Sequence, residues 1–305
     1  MSTYDTPLNS LLRLFGRDVS IRRRPEFADG EQLGKATLFL ERYREIVSDP
    51  LNVLIDRVPN AGYVDKGGNV TLHNGTRVPL KGKLAYYEDF SDVLVINRGV
   101  HEPLEEFCFQ QVLRKITAQR PVMLELGAYW AHYSMWFKKT FTESRCFMVE
   151  PDAISIKCGQ NNFAQNGFSG EFINQFVSNE GLQVDDFLKE RGLERLSILH
   201  SDIQGYEVEM IKGAEKSLAE KVIDYVFISR HSEEIHQTVI SQCSQLSHRI
   251  EVSSPFACHT TSHDGFILAT NPDIEPVFAN FAPLGRHDIA HAKPEDLVKS
   301  ICNFT

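Results

Sequence analysis

The chain has 305 residues, of which 42% are hydrophobic and 24% are charged, a balance typical of a folded globular protein. Its formal net charge of −9 argues against a general affinity for the backbone of nucleic acids. No apolar run approaches the roughly 20 residues that a helix needs to span a bilayer. We therefore expect neither nucleic-acid binding nor stable insertion into a membrane.

The six cysteines form no CxxC pair, and several lie in apolar patterns where free Cys behaves as a small hydrophobe. Arg13 interrupts the apolar run Leu11–Phe15, so this run does not resemble a signal peptide. We therefore expect a reducing, cytoplasmic location. The basic residues Arg17 and Arg22–Arg24 form either a solvated tail or a contact for an anionic substrate, partner or membrane surface.

The first hundred residues predict an α+β cap. Apolar residues recur at helical spacing between Leu33 and Val47, and Pro50 follows the expected end of this helix. Further along, the pair Asn74-Gly75 stands between two β-forming runs in the segment 70–80. Such a pair is a strong signal for a β-hairpin.

From Pro103 onward, helical and strand patterns alternate. The strand candidates, in chain order, are Val122–Leu126, Cys146–Val149, Glu171–Val177, Ser197–Ser201, Val222–Ser229, Arg249–Ser253 and Gly265–Thr270. Helical patterns separate most of them, at Ile154–Gln165, Val184–Arg191, Tyr206–Ala219 and Glu233–Leu246. Repeated βα units predict an α/β fold with a doubly wound, mostly parallel sheet, whose last two strands form an antiparallel edge pair. We expect a cap over residues 1–100, this domain over 101–275, and a C-terminal extension with one short helix over 276–305.

Candidate functional residues follow the predicted strands, because ligands of doubly wound sheets bind beyond the carboxyl ends of the strands. Gly127 follows the first strand, Glu150 ends the second, and Asp202 follows the fourth. His200 and His231 belong to the ends of the fourth and fifth strands. An acidic residue after the second strand is well placed to accept hydrogen bonds from ribose hydroxyls.

The first turn lacks the GxGxxG fingerprint of dinucleotide-binding proteins. Gly127 is the only glycine between this turn and Gly159, so no glycine cradle is available for a pyrophosphate. The pattern therefore disfavours an NAD-dependent oxidoreductase and favours a nucleoside ligand without phosphates.

An ordered series of motifs between Arg98 and Thr270 resembles the FkbM family of S-adenosylmethionine-dependent methyltransferases. The segment Glu125-Leu-Gly-Ala, with Ser134 at the matching last position, resembles the family motif Asp-x-Gly-Ala-Asn-x-Gly-x-x-Ser. Glu150-Pro151 resembles the Glu-Pro that ends the family's second strand.

The later motifs extend the resemblance. Val184–Leu188 is similar to the family's Leu-Asp-Asp-Phe box, Asp202–Glu207 to its Asp-x-Glu-Gly-x-Glu signature, and His231 to a His after its fifth strand. The chain departs from the pattern in the first loop, where Tyr129 and Ala131 replace the family's Asn and second Gly.

The resemblance implies a class I methyltransferase fold, with a seven-stranded sheet whose last strand is antiparallel, and S-adenosyl-L-methionine as cofactor. The cofactor-binding residues that it implies are Glu125, Gly127, Ala128, Tyr129, Ser134, Glu150, Pro151 and Asp202. We expect Asp202 to face the sulfonium and the acceptor, and His231 to act as the base or to orient the acceptor. His200 is a third catalytic candidate, unless it is a buried structural histidine.

By analogy with the family, we expect O-methylation of a small-molecule hydroxyl on a sugar, a lipid-linked acceptor or a secondary metabolite. Two alternatives are N- or carboxyl methylation of a peptide, and a non-catalytic binding module. We expect no metal, although Asp202 could hold a divalent ion together with His200, His231, His259 or His263. The sequence leaves the oligomeric state open.

Overall fold

The computed structural model describes residues 39–86, 90–255, 261 and 264–302. The basic residues near Arg13–Arg24, the beginning of the predicted helix from Leu33, and the metal candidates His259 and His263 lie outside these ranges. None of the described helices is long and apolar enough to cross a membrane.

The segment that precedes the sheet contains the predicted helix and hairpin. Its elements are helix α1 (Phe39–Ser48), a 3-10 turn (Pro50–Val53), strands β1 (Asn69–Thr71) and β2 (Arg77–Pro79), and the short helix α2 (Val93–Ile96). The hairpin is confirmed: β1 and β2 pair antiparallel, and Gly75 at its tip has a φ of +83°. Glycine adopts this left-handed conformation without steric strain.

Nine helices and seven strands follow in the described part of the chain. They are α3 (Pro103–Lys115), β3 (Val122–Leu126), α4 (His132–Thr140), β4 (Arg145–Val149), α5 (Ser155–Gln165), β5 (Glu171–Ile173), α6 (Val184–Glu190), β6 (Leu196–Ser201), α7 (Glu207–Gly213), α8 (Glu215–Ala219), β7 (Ile223–Arg230), α9 (Glu233–Gln245), β8 (Arg249–Ser254), β9 (Gly265–Thr270), α10 (Arg286–His291) and α11 (Pro294–Cys302).

The seven strands form one sheet in the order β5-β4-β3-β6-β7-β9-β8. The strands from β3 to β7 pair parallel with their neighbours, whereas β9 is antiparallel to both β7 and β8. The winding reverses between β3 and β6, where the crevice of such a fold opens. The predicted doubly wound, seven-stranded fold with an antiparallel pair at one end is confirmed.

Three predicted elements differ from the structure. Strand β5 ends at Ile173, because the Asn174 side chain turns to donate to the carbonyls of Glu150 and Pro151, at 2.8 Å each. The predicted helix Tyr206–Ala219 is two helices, since the Asp185 carboxylate accepts the backbone N–H groups at the start of α8. The C-terminal extension contains two helices, α10 and α11, instead of one.

Each face of the sheet is covered by a hydrophobic core. One core joins the cap, through residues such as Leu72 and Phe90, to α3, α4 and the strands. The other lies beneath α6 to α9, with Phe187 and Met210 among its members. The cap therefore packs on the sheet face that carries α4, the helix that follows the first strand.

Candidate functional site

Three residues that the sequence singles out lie together at the crevice. Gly127, Glu150 and Asp202 follow or end β3, β4 and β6, and all three line one cavity of about 140 Å³, the Glu150 cavity. Gly127 has a φ of +73°, and a Cβ atom there would lie 1.8 Å from the Asp202 carbonyl oxygen. Only glycine therefore allows the ends of β3 and β6 to approach this closely.

Glu150 is held rigidly at the end of β4. Its Oε2 accepts the Tyr129 backbone N–H at 3.1 Å, and its Oε1 accepts the Asp152 backbone N–H at 2.9 Å. Burial raises the pKa of Glu150. Each oxygen keeps a second lone pair, so the carboxylate can accept further hydrogen bonds from hydroxyls in the cavity. Pro151, Phe176, Val177 and Tyr206 line the same cavity.

A second cavity of about 140 Å³, the His231 cavity, shares Gly127, Asp202 and Gln204 with the first. The other predicted site residues that line it are Glu125, Ala128, Tyr129, His200 and His231. Ser134 is not among the described residues that line either cavity. Its backbone N–H donates to Glu125 Oε2 at 3.2 Å, which holds that carboxylate in place.

The loops that line both cavities contain strained backbone. Tyr129, Ala131 and Gln204 have φ values of 40°, 58° and 54°. This left-handed region suits Asn and Gly, and a larger residue there costs roughly 1–3 kcal/mol. Tyr129 and Ala131 occupy the positions of the Asn and Gly in the resembled motif, and both adopt the left-handed conformation that Asn and Gly favour.

The aromatic residues of this loop connect the cavity to its surroundings. Trp130 is 5% exposed and lies 4.5 Å from Tyr86 between ring centroids. Tyr129 donates its hydroxyl to the Ala85 carbonyl at 3.3 Å, and Tyr133 donates to Glu102 Oε2 at 3.1 Å. Tyr129 and Trp130 thus pack the cap onto the sheet, Tyr133 contacts the start of α3, and all three line the His231 cavity.

His231 lies within a cluster of carboxylates. Its Nδ1 is 3.2 Å from Glu207 Oε1, and its Nε2 is 3.5 Å from Asp202 Oδ1 and 3.4 Å from Asp264 Oδ1. The Nε2 atom also lies 2.8 Å from the side-chain amide of Gln204. The cluster thus links the ends of β6 and β7 to the beginning of β9.

The cluster changes the proton affinities of its members. Burial alone would lower the pKa of His231, but the hydrogen bond to Glu207 and the charges of Asp264 and Asp202 outweigh it and raise that pKa to about 9. Burial and the neighbouring Asp264 raise the pKa of Asp202 well above its ordinary value. Burial likewise raises the pKa of Asp264 to about 6.

His200 lines the His231 cavity and also contacts α3. Its Nε2 lies 2.6 Å from Glu105 Oε1, and the other oxygen of Glu105 accepts the Ser229 hydroxyl at 2.6 Å. Burial lowers the pKa of His200, so the ring is neutral at neutral pH. His200 therefore braces α3 against β6 and β7, and its predicted catalytic role stays a prediction.

Sequence reasoning did not select Asp264 as a site residue. It precedes β9, and Gly265 pairs with Arg230 at the end of β7. An acidic residue just before an antiparallel last strand lies at the carboxyl edge of the parallel strands, and this position could have identified it. Asp202, His231 and Asp264 offer donor atoms within 4.8 Å of one another, a spacing that can hold a cation.

The sequence model of the Methyltransferase FkbM domain matches residues 147–242. No curated protein matches the chain. The solved precorrin-6y C5,15-methyltransferase from Geobacter metallireducens GS-15 is 12% identical, with a TM-score of 0.39, and the match covers 53% of this chain and 86% of that protein. The ribosomal protein L11 methylase from Lactobacillus delbrueckii subsp. bulgaricus is 8% identical, with a TM-score of 0.41, covering 56% of this chain and 80% of that protein.

A third solved structure, M. capricolum TrmK in complex with S-adenosyl-homocysteine, is 9% identical, with a TM-score of 0.39, covering 62% of this chain and 73% of that protein. The family match spans β4 to α9, which includes Glu150, Asp202 and His231. The strand order places these residues at the crevice of a seven-stranded, mostly parallel sheet. Residues 147–242 therefore match the model of the FkbM methyltransferase domain, the family that the motif series resembles.

Proposed function

We propose that the chain transfers the methyl group of S-adenosyl-L-methionine to a hydroxyl of a small molecule. One observation carries this proposal: the Glu150 cavity and the His231 cavity adjoin at Gly127, Asp202 and Gln204. One end thus offers a fixed carboxylate for a nucleoside, and the other offers an imidazole among carboxylates. Together the cavities approach the lower end of ligand-pocket sizes, roughly 300 Å³.

The residues of the crevice fit this cofactor. Glu150 would accept hydrogen bonds from the two ribose hydroxyls, with the apolar side chains of Phe176, Val177 and Tyr206 beside the base. Asp202 lies where the two cavities meet and would favour the positive sulfonium. When bound, the cofactor supplies an electrophilic methyl group for an in-line displacement, so alignment of the acceptor is the main task of the protein.

His231 is the proposed base for the acceptor proton. Its Nδ1 is held by Glu207, which orients Nε2 toward the cavity. A hydroxyl between Nε2, Asp202 and Asp264 could pass its proton to the neutral imidazole during methyl transfer. A sulfonium bound nearby disfavours the imidazolium form and so promotes the neutral one.

The size and cover of the His231 cavity support a small acceptor. At about 140 Å³ it admits a compact group, and cap residues Arg42 and Tyr86 contribute to its wall. A peptide or RNA acceptor would need an open surface beside the crevice, and the net charge of −9 also opposes RNA. A carboxylate acceptor has no proton to lose, so methyl transfer to a carboxylate would not use His231 as a base.

Calorimetry with S-adenosyl-L-methionine tests the cofactor assignment. Glu150→Gln removes the negative charge and places an amide near the backbone N–H groups that now donate to this residue, so we expect affinity to fall roughly tenfold or more. Asp152→Asn is the matched control, because its exposed carboxylate accepts N–H groups at the start of α5 and is not among the described residues that line either cavity. Equal affinities for the two variants would contradict the assignment.

Release of S-adenosylhomocysteine in the presence of small hydroxylated compounds tests the reaction. Methyl release with such compounds, and none with carboxylates or peptides of similar size, is the expected result. Cofactor binding without release to any of these acceptors would favour the non-catalytic binding module.

A further inference from the structure

A second cluster of polar side chains lies beneath the first loop, separate from the His231 cluster. His73 at the hairpin, His101 before α3, Glu106 on α3 and His132 at the start of α4 are all at most 3% exposed. Glu106 lies at the centre: its Oε2 is 2.9 Å from His73 Nε2, and its Oε1 is 2.6 Å from His101 Nδ1 and 3.8 Å from His132 Nε2. Three imidazoles thus converge on the carboxylate of Glu106.

Two of the imidazoles have an acceptor beside the ring nitrogen that points away from Glu106. His73 Nδ1 lies 3.3 Å from the Asp56 carbonyl oxygen, and His101 Nε2 lies 3.4 Å from Glu102 Oε2. A ring nitrogen that donates to such an acceptor leaves the opposite nitrogen as a lone pair directed at Glu106. Imidazoles that ligate a metal ion almost always have this backing by a carbonyl or carboxylate.

Glu106 is itself anchored as an anion. Its Oε1 accepts the backbone N–H groups of His101 and Glu102, at 2.8 and 3.1 Å. The lone pairs of an imidazole and a carboxylate repel each other unless a proton or a metal ion lies between them.

His132 distinguishes these two solutions. It is 1% exposed, and neither of its ring nitrogens has a hydrogen-bond partner among the residues that the structure describes. Protons on His73 and His101 leave both ring nitrogens of His132 without a partner, which is unfavourable for buried polar atoms. A metal ion at the centre would take His132 Nε2 as a further ligand.

The spacing agrees with a shared ion. Two ligands bound at about 2.1 Å in tetrahedral geometry lie about 3.4 Å apart, between the contacts of 2.9 and 3.8 Å that Glu106 makes with His73 and His132. The donor atoms of His73, Glu106 and His132 all lie within 4.8 Å of one another. Two imidazoles and one carboxylate suit Zn²⁺, whereas Mg²⁺ and Ca²⁺ prefer oxygen ligands.

We propose that His73, Glu106 and His132 bind a zinc ion that fastens the hairpin and α3 to the start of α4. Cavities adjoin the cluster on two sides: His101 and His132 line the His231 cavity, and His73 lines a separate cavity of about 500 Å³. An ion can therefore reach the site. Once bound, it fixes His132 and so stabilises the loop from Gly127 to Ala131 that precedes this residue. This inference does not depend on the methyl acceptor.

The test measures bound metal instead of methyl transfer. The full chain, dialysed against Zn²⁺ and then buffer, is expected to retain about one equivalent by elemental analysis. His132→Phe keeps a flat ring that can stack on Trp130, whose ring lies 4.9 Å away, but it lacks both nitrogens. We expect this variant to bind Zn²⁺ at least tenfold more weakly, since removing even a residue that only supports a ligand costs about 10–100-fold.

His231→Asn is the matched control, because it changes the other group that could hold a cation. It should retain the equivalent of Zn²⁺ and the rise in unfolding temperature on zinc addition, whereas His132→Phe should lose both. The visible absorption of tetrahedral Co²⁺ in the unmodified chain, displaced by Zn²⁺, gives a readout that needs no variant. Absence of tight zinc binding, wild-type affinity in His132→Phe, or loss of the ion in His231→Asn would each overturn the proposal.

Discussion

His231 is subject to two opposing effects on its proton. Burial favours the neutral imidazole, and the carboxylates of Glu207, Asp264 and Asp202 favour the cation, with the result that the pKa is raised to about 9. In the free protein at neutral pH the ring is therefore mostly protonated. A base must be unprotonated to take the proton of the substrate hydroxyl, so His231 has to lose its own proton before it can act.

This gives a prediction for the pH dependence of the reaction. If His231 is the base, kcat/KM should rise with pH and level off near pH 9, because this parameter reports the free enzyme. The profile of kcat should level off at lower pH, since the bound sulfonium disfavours the imidazolium. Replacing His231 by Asn should reduce kcat by about 10²–10⁴-fold and abolish this rise, with little change in cofactor affinity.

His287→Asn on α10 serves as the control, because that histidine is exposed and lies outside both cavities. Its profile should match that of the unmodified chain. Activity that falls as pH rises through 9, or equal losses of turnover and cofactor affinity in His231→Asn, would exclude the role of base.

The sequence indicates which residues occupy the strand ends, and this was sufficient to select Gly127, Glu150, Asp202 and His231. It does not indicate their proton affinities. The pKa of His231 depends on Asp264, which is 33 positions away in the chain and reaches the site only because β9 runs antiparallel to β7. Such a long-range electrostatic effect has no local signature.

Among the elements, the central strands were the most predictable. β3 and β9 begin and end where the apolar runs do, because strands buried on both faces read as continuous apolar segments. The errors lie where a side chain from another element decides the boundary. Asn174 ends β5 by bonding to the segment after β4, and Asp185 of α6 begins α8 by accepting its N–H groups.

The loop between β3 and α4 allows a prediction about strain. Ala131 has a φ of 58°, whereas Ala128 is not among the described non-glycine residues with positive φ. Both methyl groups are buried, with 0% and 3% of the residue exposed. Ala128→Gly should destabilise the fold by about 1 kcal/mol, through the lost methyl contact and the greater chain entropy.

Ala131→Gly also loses a buried methyl group, but it relieves a left-handed conformation that costs an L residue about 1–2 kcal/mol. It should therefore be close to neutral, and the two variants should differ by about 1 kcal/mol or more in the free energy of unfolding, measured by urea denaturation. Equal destabilisation by both substitutions would show that position 131 carries no strain.

At the scale of the whole molecule, the topology brings distant segments together in ways that composition does not reveal. The predicted α+β cap and α/β sheet are both present, yet the hydrophobic core that joins them could not be assigned from patterns alone. Asp49, between α1 and the 3-10 turn, is an example. Its carboxylate accepts the hydroxyl of Thr261 and the Leu51 N–H, and it is 4% exposed.

This contact makes the stability of the molecule depend on pH. Burial raises the pKa of Asp49 from 3.8 to about 6, so folding favours the protonated form. The stability from this group is fully present below pH 3.8 and is lost as pH rises through about 6, and the loss amounts to at most about 3 kcal/mol at 1.36 kcal/mol for each pKa unit.

Asn at position 49 stays neutral at every pH and can keep both hydrogen bonds. Asp49→Asn should therefore match the unmodified chain near pH 4 and unfold at a temperature a few degrees higher at pH 8, as scanning calorimetry at both values can measure. Asp65→Asn should behave oppositely, because hydrogen bonds from Asn69 lower the pKa of the partly exposed Asp65, and its carboxylate stabilises the hairpin only when ionised. If Asp49→Asn lowered the unfolding temperature equally at pH 4 and pH 8, Asp49 would be a charged anchor of the cap instead of a buried acid that the fold keeps protonated.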